Sequence, residues 1–344
     1  MRIVQPILAL ALLLTGATGA AAELKPLDDK ARKQLDAIPN EGTPLPKQHY
    51  FRSNEWYQNL LVQPLQGRGG AYVGVGSDQN YTMAAIAGSE LLILIDYDPR
   101  IRWVHRIYDV LIRASETPDD LVSRFAQDNE ERSRALIETA VQGDPDAAAI
   151  TKHFTKSRKL WHPYLERVRG TKGKLPVTSW LSVPEYYKHV RGLFNAGRVI
   201  SKNGDMTAER TVRAAGDAAR ALKIPVRIIY FSNAEQFFPY SDSFQANMRA
   251  LPTDERSVVV RTIHHGKIPN AGPNDWHYVV HEMPDFFARM QAGYRHSFAF
   301  VGDLLAGGKK VIGEDGLSVM TGAVPMAKPG AAEQASVTQA GAKE

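Results

Sequence analysis

The sequence predicts an open, doubly wound α/β sheet, mostly parallel, carrying a helical insertion. Three observations predict it. Leu91-Leu-Ile-Leu-Ile95 is five continuous aliphatic residues ending in Asp96, the pattern of a strand buried on both faces of a parallel sheet. Val226-Arg-Ile-Ile-Tyr-Phe231 and Ser257–Ile263 (SVVVRTI) have the same character. Stretches with apolar residues at helical spacing separate these runs, giving the order β-α-β-α…α-β…β-α.

Taken in order, Met1-Arg2, the apolar run Ile7–Leu14 and Ala20-Ala21-Ala22 form the three parts of a secretory signal peptide at 1–22, with cleavage expected after Ala22. The run is too short for a permanent membrane anchor, and no later apolar stretch approaches 18 residues, so no stable membrane insertion is expected after cleavage. The expected location is therefore periplasmic or extracellular, in a bacterium. Residues 23–49, with Pro26, Pro39, Pro44 and Pro46, read as an extended strap. The main domain is expected over 50–325. Its first strand is 71–75, followed by a small-residue helix at Tyr81–Ala87 and the second strand at 91–95, parallel to the first. Ile101–Ala114 has Ile101, Val104, Ile107, Tyr108 and Leu111 on one helical face.

Residues 115–195 interrupt the alternation with helical patterns. Thr117-Pro118-Asp119-Asp120 is a helix start, and Ser133–Gln142 and Leu160–Val168 follow, together predicting a cap over the ligand crevice. Thr207–Leu222 reads as a helix with Thr207 as its N-cap. Strands follow at 226–231 and 257–263, then a helix at 279–292. The segment 326–344 is poor in large apolar residues and is expected to be a disordered tail.

Composition narrows the chemistry. A 344-residue chain with 44% hydrophobic residues can bury a sizeable core. It has no cysteine, which excludes disulfides, thiolate metal sites and a cysteine nucleophile. Its net charge of +5 is spread along the chain, so nucleic acid is not an expected partner. The pair His277 and His281 is spaced like two metal ligands on a helix, yet Tyr278, Val279 and Val280 between them read as core, and no metal is expected.

The expected ligand chemistry sits at the end of the first strand. Gly74-Val-Gly76-Ser-Asp78-Gln-Asn80 is a glycine turn leading into a helix N-terminus, and Asp96 follows Gly76 by twenty residues. That spacing places an acid where it grips the vicinal hydroxyls of a ribose. Gln79 stands where a dinucleotide fingerprint has its third glycine, so an adenosyl ligand without a pyrophosphate fits better. Ser53-Asn54-Glu55 reads as the cap of a helix near Trp56, with Glu55 as a base at the crevice mouth the other reading.

Three separated motifs, Gly69–Tyr81 with Leu92–Asp96, Ser53-Asn54-Glu55, and Phe231-Ser-Asn-Ala-Glu-Gln236, resemble an uncharacterised bacterial family with a class I methyltransferase-like Rossmann fold, over roughly residues 50–265. The resemblance implies S-adenosylmethionine as the ligand class, with Gly74, Gly76 and Asp78 in the loop, Asp96 on the ribose and Asp205 near the adenine. It also implies Asn233 and Glu235 at the strand end where catalytic or substrate residues lie. Two functions remain open: a methyltransferase-like enzyme, and a non-catalytic exported protein binding a small, nucleoside-like ligand in the same crevice. Protein partners are not indicated.

Overall fold

A computed structural model describes residues 24–170, 178–272 and 275–326. The expected leader at 1–22, and all but the first residue of the expected tail at 326–344, lie outside the described residues.

The segment expected to be wholly extended at 23–49 contains a helix, α1 (Asp29–Asp36), started by Asp28, whose carboxylate accepts the Ala31 N–H at 2.7 Å. After a short turn of helix, α2 (Val62–Leu65), the alternation begins: β1 (Ala71–Gly74), α3 (Gln79–Ala87), β2 (Leu91–Asp96) and α4 (Pro99–Arg113). The interruption at 115–195 supplies α5 (Pro118–Ser123), α6 (Glu130–Ala140), α7 (Ala147–Val168) and α8 (Pro184–Asn195). Thr117 starts α5 through a reciprocal capping box with Asp120.

The sheet resumes with β3 (Val199–Asn203), followed by α9 (Thr211–Ala221), β4 (Val226–Ser232), α10 (Asp242–Ala250) and β5 (Val258–Ile263). The chain ends in β6 (His277–Glu282), α11 (Met283–Gln291), α12 (Phe298–Gly307) and β7 (Leu317–Met320).

All seven strands form one sheet in the order β3-β2-β1-β4-β5-β6-β7. From β3 through β5 every pairing is parallel, and β1 and β2 are neighbours with Ala71 opposite Leu91. The strand order reverses between β1 and β4, and in open α/β sheets the ligand crevice lies at the carboxyl ends of such a reversal. β6 is antiparallel to β5 because a loop rather than a helical crossover joins them. β7 returns after α11 and α12 and so lies parallel to β6.

Alternate strand residues divide between two apolar layers. Tyr72, Leu92, Leu94, Ile228, Tyr230 and Val260 meet α3, α4 and the insertion helices. Ala71, Val73, Ile93, Ile95, Ile229 and Val259 meet α1, α9, α10, α11 and α12. Most of the insertion thickens one helical layer around Trp161, Trp180 and Tyr187, with α6, α7 and α8 packed on α4 and α8 also on α3, and it reaches the strand ends through Tyr164 and Trp180 at Asp78.

Two further expectations are corrected. Residues 277–282 are a strand, and the helix expected at 279–292 starts only at Met283, because His277-Tyr-Val-Val-His281 is an inner strand buried on both faces and Pro284 opens the helix. The helix expected from Thr207 starts at Thr211. Thr207 instead donates its N–H and hydroxyl to Asp205 in a preceding turn, both at 2.7 Å. The edge strands β3 and β7 escape the sequence pattern since both are short and only partly buried, and β3 has just two apolar residues, Val199 and Ile200.

Candidate functional site

The turn after β1 is built from its own side chains. Asn80 reaches back beneath it, donating to the carbonyls of Val75 (2.9 Å) and Ser77 (2.7 Å), while its Oδ1 accepts the Tyr72 hydroxyl at 2.9 Å. A Cβ on Gly74 would lie 2.2 Å from that Oδ1, so only glycine permits the arrangement. Gly76 has φ +82°, and the Gln79 amide covers it, its Nε2 only 2.6 Å from where a Cβ would stand. Gln79 is buried, and its Oε1 has no hydrogen-bond partner among the described residues. Such an orphaned acceptor costs free energy unless something donates to it.

Three carboxylates line the carboxyl ends of β1, β2, β4 and β5. Asp96 accepts the Gly76 N–H at 2.7 Å on one oxygen and the Asp98 N–H at 2.8 Å on the other. Burial pushes its pKa up to about 6 against those two donors. Asp78 is 1% exposed and accepts the Tyr164 hydroxyl (2.8 Å) and the Trp180 indole N–H (3.2 Å), and burial raises it as well. Glu55 is 4% exposed and takes hydroxyls from Tyr230, Ser232 (2.6 Å) and Thr262 (3.1 Å); desolvation again raises its pKa. Among the described residues none of the three forms an ion pair. Ser232 itself sits in the left-handed region at φ +51°, a strained conformation for a serine, at a bulge ending β4.

What crosses the crevice is the chain from Asn40 to Trp56, which visits the strand ends in spatial order. Glu41 N–H donates to the Asn203 carbonyl after β3, and Thr43 Oγ1 to the Tyr97 carbonyl after β2. His49 Nδ1 meets Asp98, and the Phe51 carbonyl accepts Ser77 Oγ at 2.8 Å after β1. Glu55 then reaches β4 and β5, and the Trp56 N–H donates to Asp275 ahead of β6.

The residues singled out from sequence separate into two groups. Gly74, Gly76, Asp78 and Asp96 come together at the β1 turn. Asp205 is bonded within its own turn, its N–H donating to Glu41 at 3.0 Å. Asn233 is half-buried in the turn after β4. Glu235 is 2% exposed and bonded to Arg261 and Tyr240, in the layer containing Phe286 and Phe300. From Glu235 a buried chain of charge runs through Arg261, His281, Asp285 and Arg289 to Asp303. His281 thus bonds Arg261 and Asp285, whereas His277 meets the Pro269 carbonyl and Ser318, so the two imidazoles serve separate partners. No group of three or more metal-ligating side chains occurs among the described residues.

Glu55 is the member that sequence reasoning undervalued. It caps no helix; Ser53 Oγ accepts the Glu55 N–H at 3.1 Å, and the Glu55 carboxylate turns inward. The available signal was an acid beside Trp56 and Tyr57, in the segment that leads through α2 to the domain's first strand.

Residues 50–317 match a family model described as a domain of unknown function (DUF7790). No curated protein matches the chain.

Proposed function

The chain belongs to the DUF7790 family, and from that premise we propose that it is an exported protein binding a small ligand, S-adenosylmethionine or a related nucleoside, in the crevice between β1 and β4. The observation that carries this reading is the row of Glu55, Asp78 and Asp96. Three desolvated carboxylates without a cation among the described residues, beside an orphaned amide oxygen on Gln79, call for a ligand that brings positive charge and hydrogen-bond donors. The donor set fits a ribose. Each Asp96 oxygen holds one N–H and keeps a second lone-pair site for a hydroxyl. In this reading Gly74, Gly76 and Asp78 shape the turn, Asp96 holds the sugar, and Asp205 lies toward the base. Ligand admission swings the Gln79 amide away from Gly76 and gives its Oε1 a donor.

A non-catalytic role is favoured over methyl transfer by Glu235. Its carboxylate is committed to Arg261 and Tyr240, and withdrawing it would leave a buried guanidinium unpaired. The enzymatic alternative would place Asn233 or Glu235 beside the transferred methyl.

Calorimetric titration of the protein with S-adenosylmethionine and with its demethylated thioether tests the proposal. The sulfonium is expected to bind more tightly than the neutral thioether, and Asp96→Asn to fold normally while losing roughly ten- to hundredfold in affinity. No heat with either compound at about millimolar concentration, from folded protein, would overturn it. Export is checked separately: N-terminal sequencing of the native protein should begin at Glu23.

A further inference from the structure

A second concavity lies outside the crevice, on the outer side of the chain that covers it. It is a groove of about 490 Å³ between residues 49–56 and the last turns of α7, lined among others by Tyr50, Phe51, Arg52, Trp56, Tyr164 and Arg167. Its walls are fixed from behind. The Phe51 carbonyl is held by Ser77, the Ser53 N–H by the Tyr164 hydroxyl, and the Trp56 N–H by Asp275. The Tyr164 hydroxyl in turn donates a hydrogen bond to Asp78 at 2.8 Å, so the outer wall rests on a fully buried anchor.

Two guanidinium groups face this groove, and among the described residues neither forms an ion pair. Arg167 lies over the Trp56 indole, 3.7 Å from the ring centroid, and Arg52 donates to the Leu160 carbonyl at 3.4 Å. The acids nearby are already engaged: Asp98 with His49, and Asp275 with the N–H groups of Trp56 and Trp276. Tyr50, 68% exposed, adds an aromatic face at the rim that no core contact explains. A planar fork stacked on an indole has lost much of its freedom before any ligand arrives, which favours a bidentate grip on a carboxylate or phosphate.

We propose that this groove binds a small organic anion with a ring body, its acidic group clamped by Arg52 and Arg167 and its ring against Tyr50 and Trp56. The inference does not depend on what occupies the crevice. An acidic sugar and an aromatic acid share the required chemistry, and the experiment separates them.

Trp56 is the reporter. Emission and calorimetry are followed with D-glucuronate and benzoate, against D-glucose and benzyl alcohol as neutral partners of matching shape. At least one anion is expected to bind and shift the emission, and neither neutral compound to do so. Binding of glucuronate alone assigns a sugar acid, and binding of benzoate alone an aromatic acid. The double variant Arg52→Gln/Arg167→Gln, at two exposed positions, should melt like the parent and bind at least about tenfold more weakly. Arg52→Lys/Arg167→Lys, which keeps the charge but not the fork, should fall between them. Trp56→Phe should lose the optical signal while calorimetry still detects binding. No heat with either anion at about ten millimolar, or equal affinity in parent and Gln variant, would overturn the proposal.

Discussion

Glu235, Asp285 and Asp303 each lie against a buried guanidinium, whereas Glu55, Asp78 and Asp96 are held by hydroxyls, an indole and backbone N–H groups alone. Glu55 and Asp78 are buried as deeply as the first set and Asp96 is half-buried, so depth alone does not separate the two sets. Compensation does. The first set joins the turn after β4, β5 and β6 to α11 and α12, and Arg261 and Arg289 set two positive charges against its three carboxylates. The second sits along the strand ends, and among the described residues no cation pairs with it. An acid that the fold must bury for stability is given a partner, and one left without a partner marks a place where something else supplies it.

That contrast breaks first under substitution at Arg289. Arg289→Met removes the guanidinium that Asp285 and Asp303 share, leaving two buried carboxylates to hydrogen bonds from His281 and Tyr294, and is expected to cost about 3–5 kcal/mol in urea denaturation. Glu55→Gln, in the other set, leaves no cation behind. The hydroxyls of Tyr230, Ser232 and Thr262 can rotate to suit an amide, so the change should stay within about 1 kcal/mol at neutral pH. Equal losses in the two variants would show that the sets do not differ in kind.

Titration sharpens the same contrast. Asp96 has a pKa of about 6 when folded against 3.8 ordinarily, so the native state holds its proton over that window. Its contribution to stability is therefore fully present below about pH 4 and is lost as pH rises to about 6. Asp285 runs the other way. Burial acts to raise it, but His281 and Arg289 win and hold it below the usual range, so its contribution is present near neutrality and is lost on acidification. Asp96 keeps some contact with solvent, so its share is about 1–2 kcal/mol. Urea midpoints for the parent and Asp96→Asn at pH 4.5, 6 and 7.5 should differ by an amount that changes across the series. A constant difference would remove the raised pKa from the account.

How much of this was legible follows from what each residue responds to. The strands at 91–95, 226–231 and 257–263 announce themselves because burial on both faces demands continuous apolar side chains. The turn at Gly74–Asn80 and the acid at Asp96 are local, set by backbone conformation and by a fixed spacing along one β-α-β unit. β6 reads as helix because a short apolar run carries no decisive period, and only its pairing with β5 settles the matter. Glu55 and Glu235 exchange their expected standing for a non-local reason. The partners of Glu55 lie 175 to 207 residues away, and Arg261 lies 26 residues beyond Glu235. No spacing rule connects such positions.

The smallest expected effect compares two acids that use the same donors. Glu41 accepts backbone N–H groups from Asp205 (3.0 Å), Arg210 (2.9 Å) and Thr211 (3.2 Å), capping α9 from a distant part of the chain. Asp96 likewise accepts two backbone N–H groups, yet its pKa rises while that of Glu41 falls. Burial works to raise both; Glu41 lies nearer solvent, so there the three donors prevail. Glu41→Ala removes a helix cap and should cost about 1 kcal/mol near neutral pH, with faster amide exchange at Arg210 and Thr211. Glu41→Gln keeps one acceptor oxygen, which can serve Arg210 and Thr211, and should cost less than Ala. The penalty of either variant should shrink in acid, once Glu41 of the parent is itself protonated. A penalty that holds unchanged into acid would mean that Glu41 acts through packing, and that its resemblance to Asp96 ends at the list of donors.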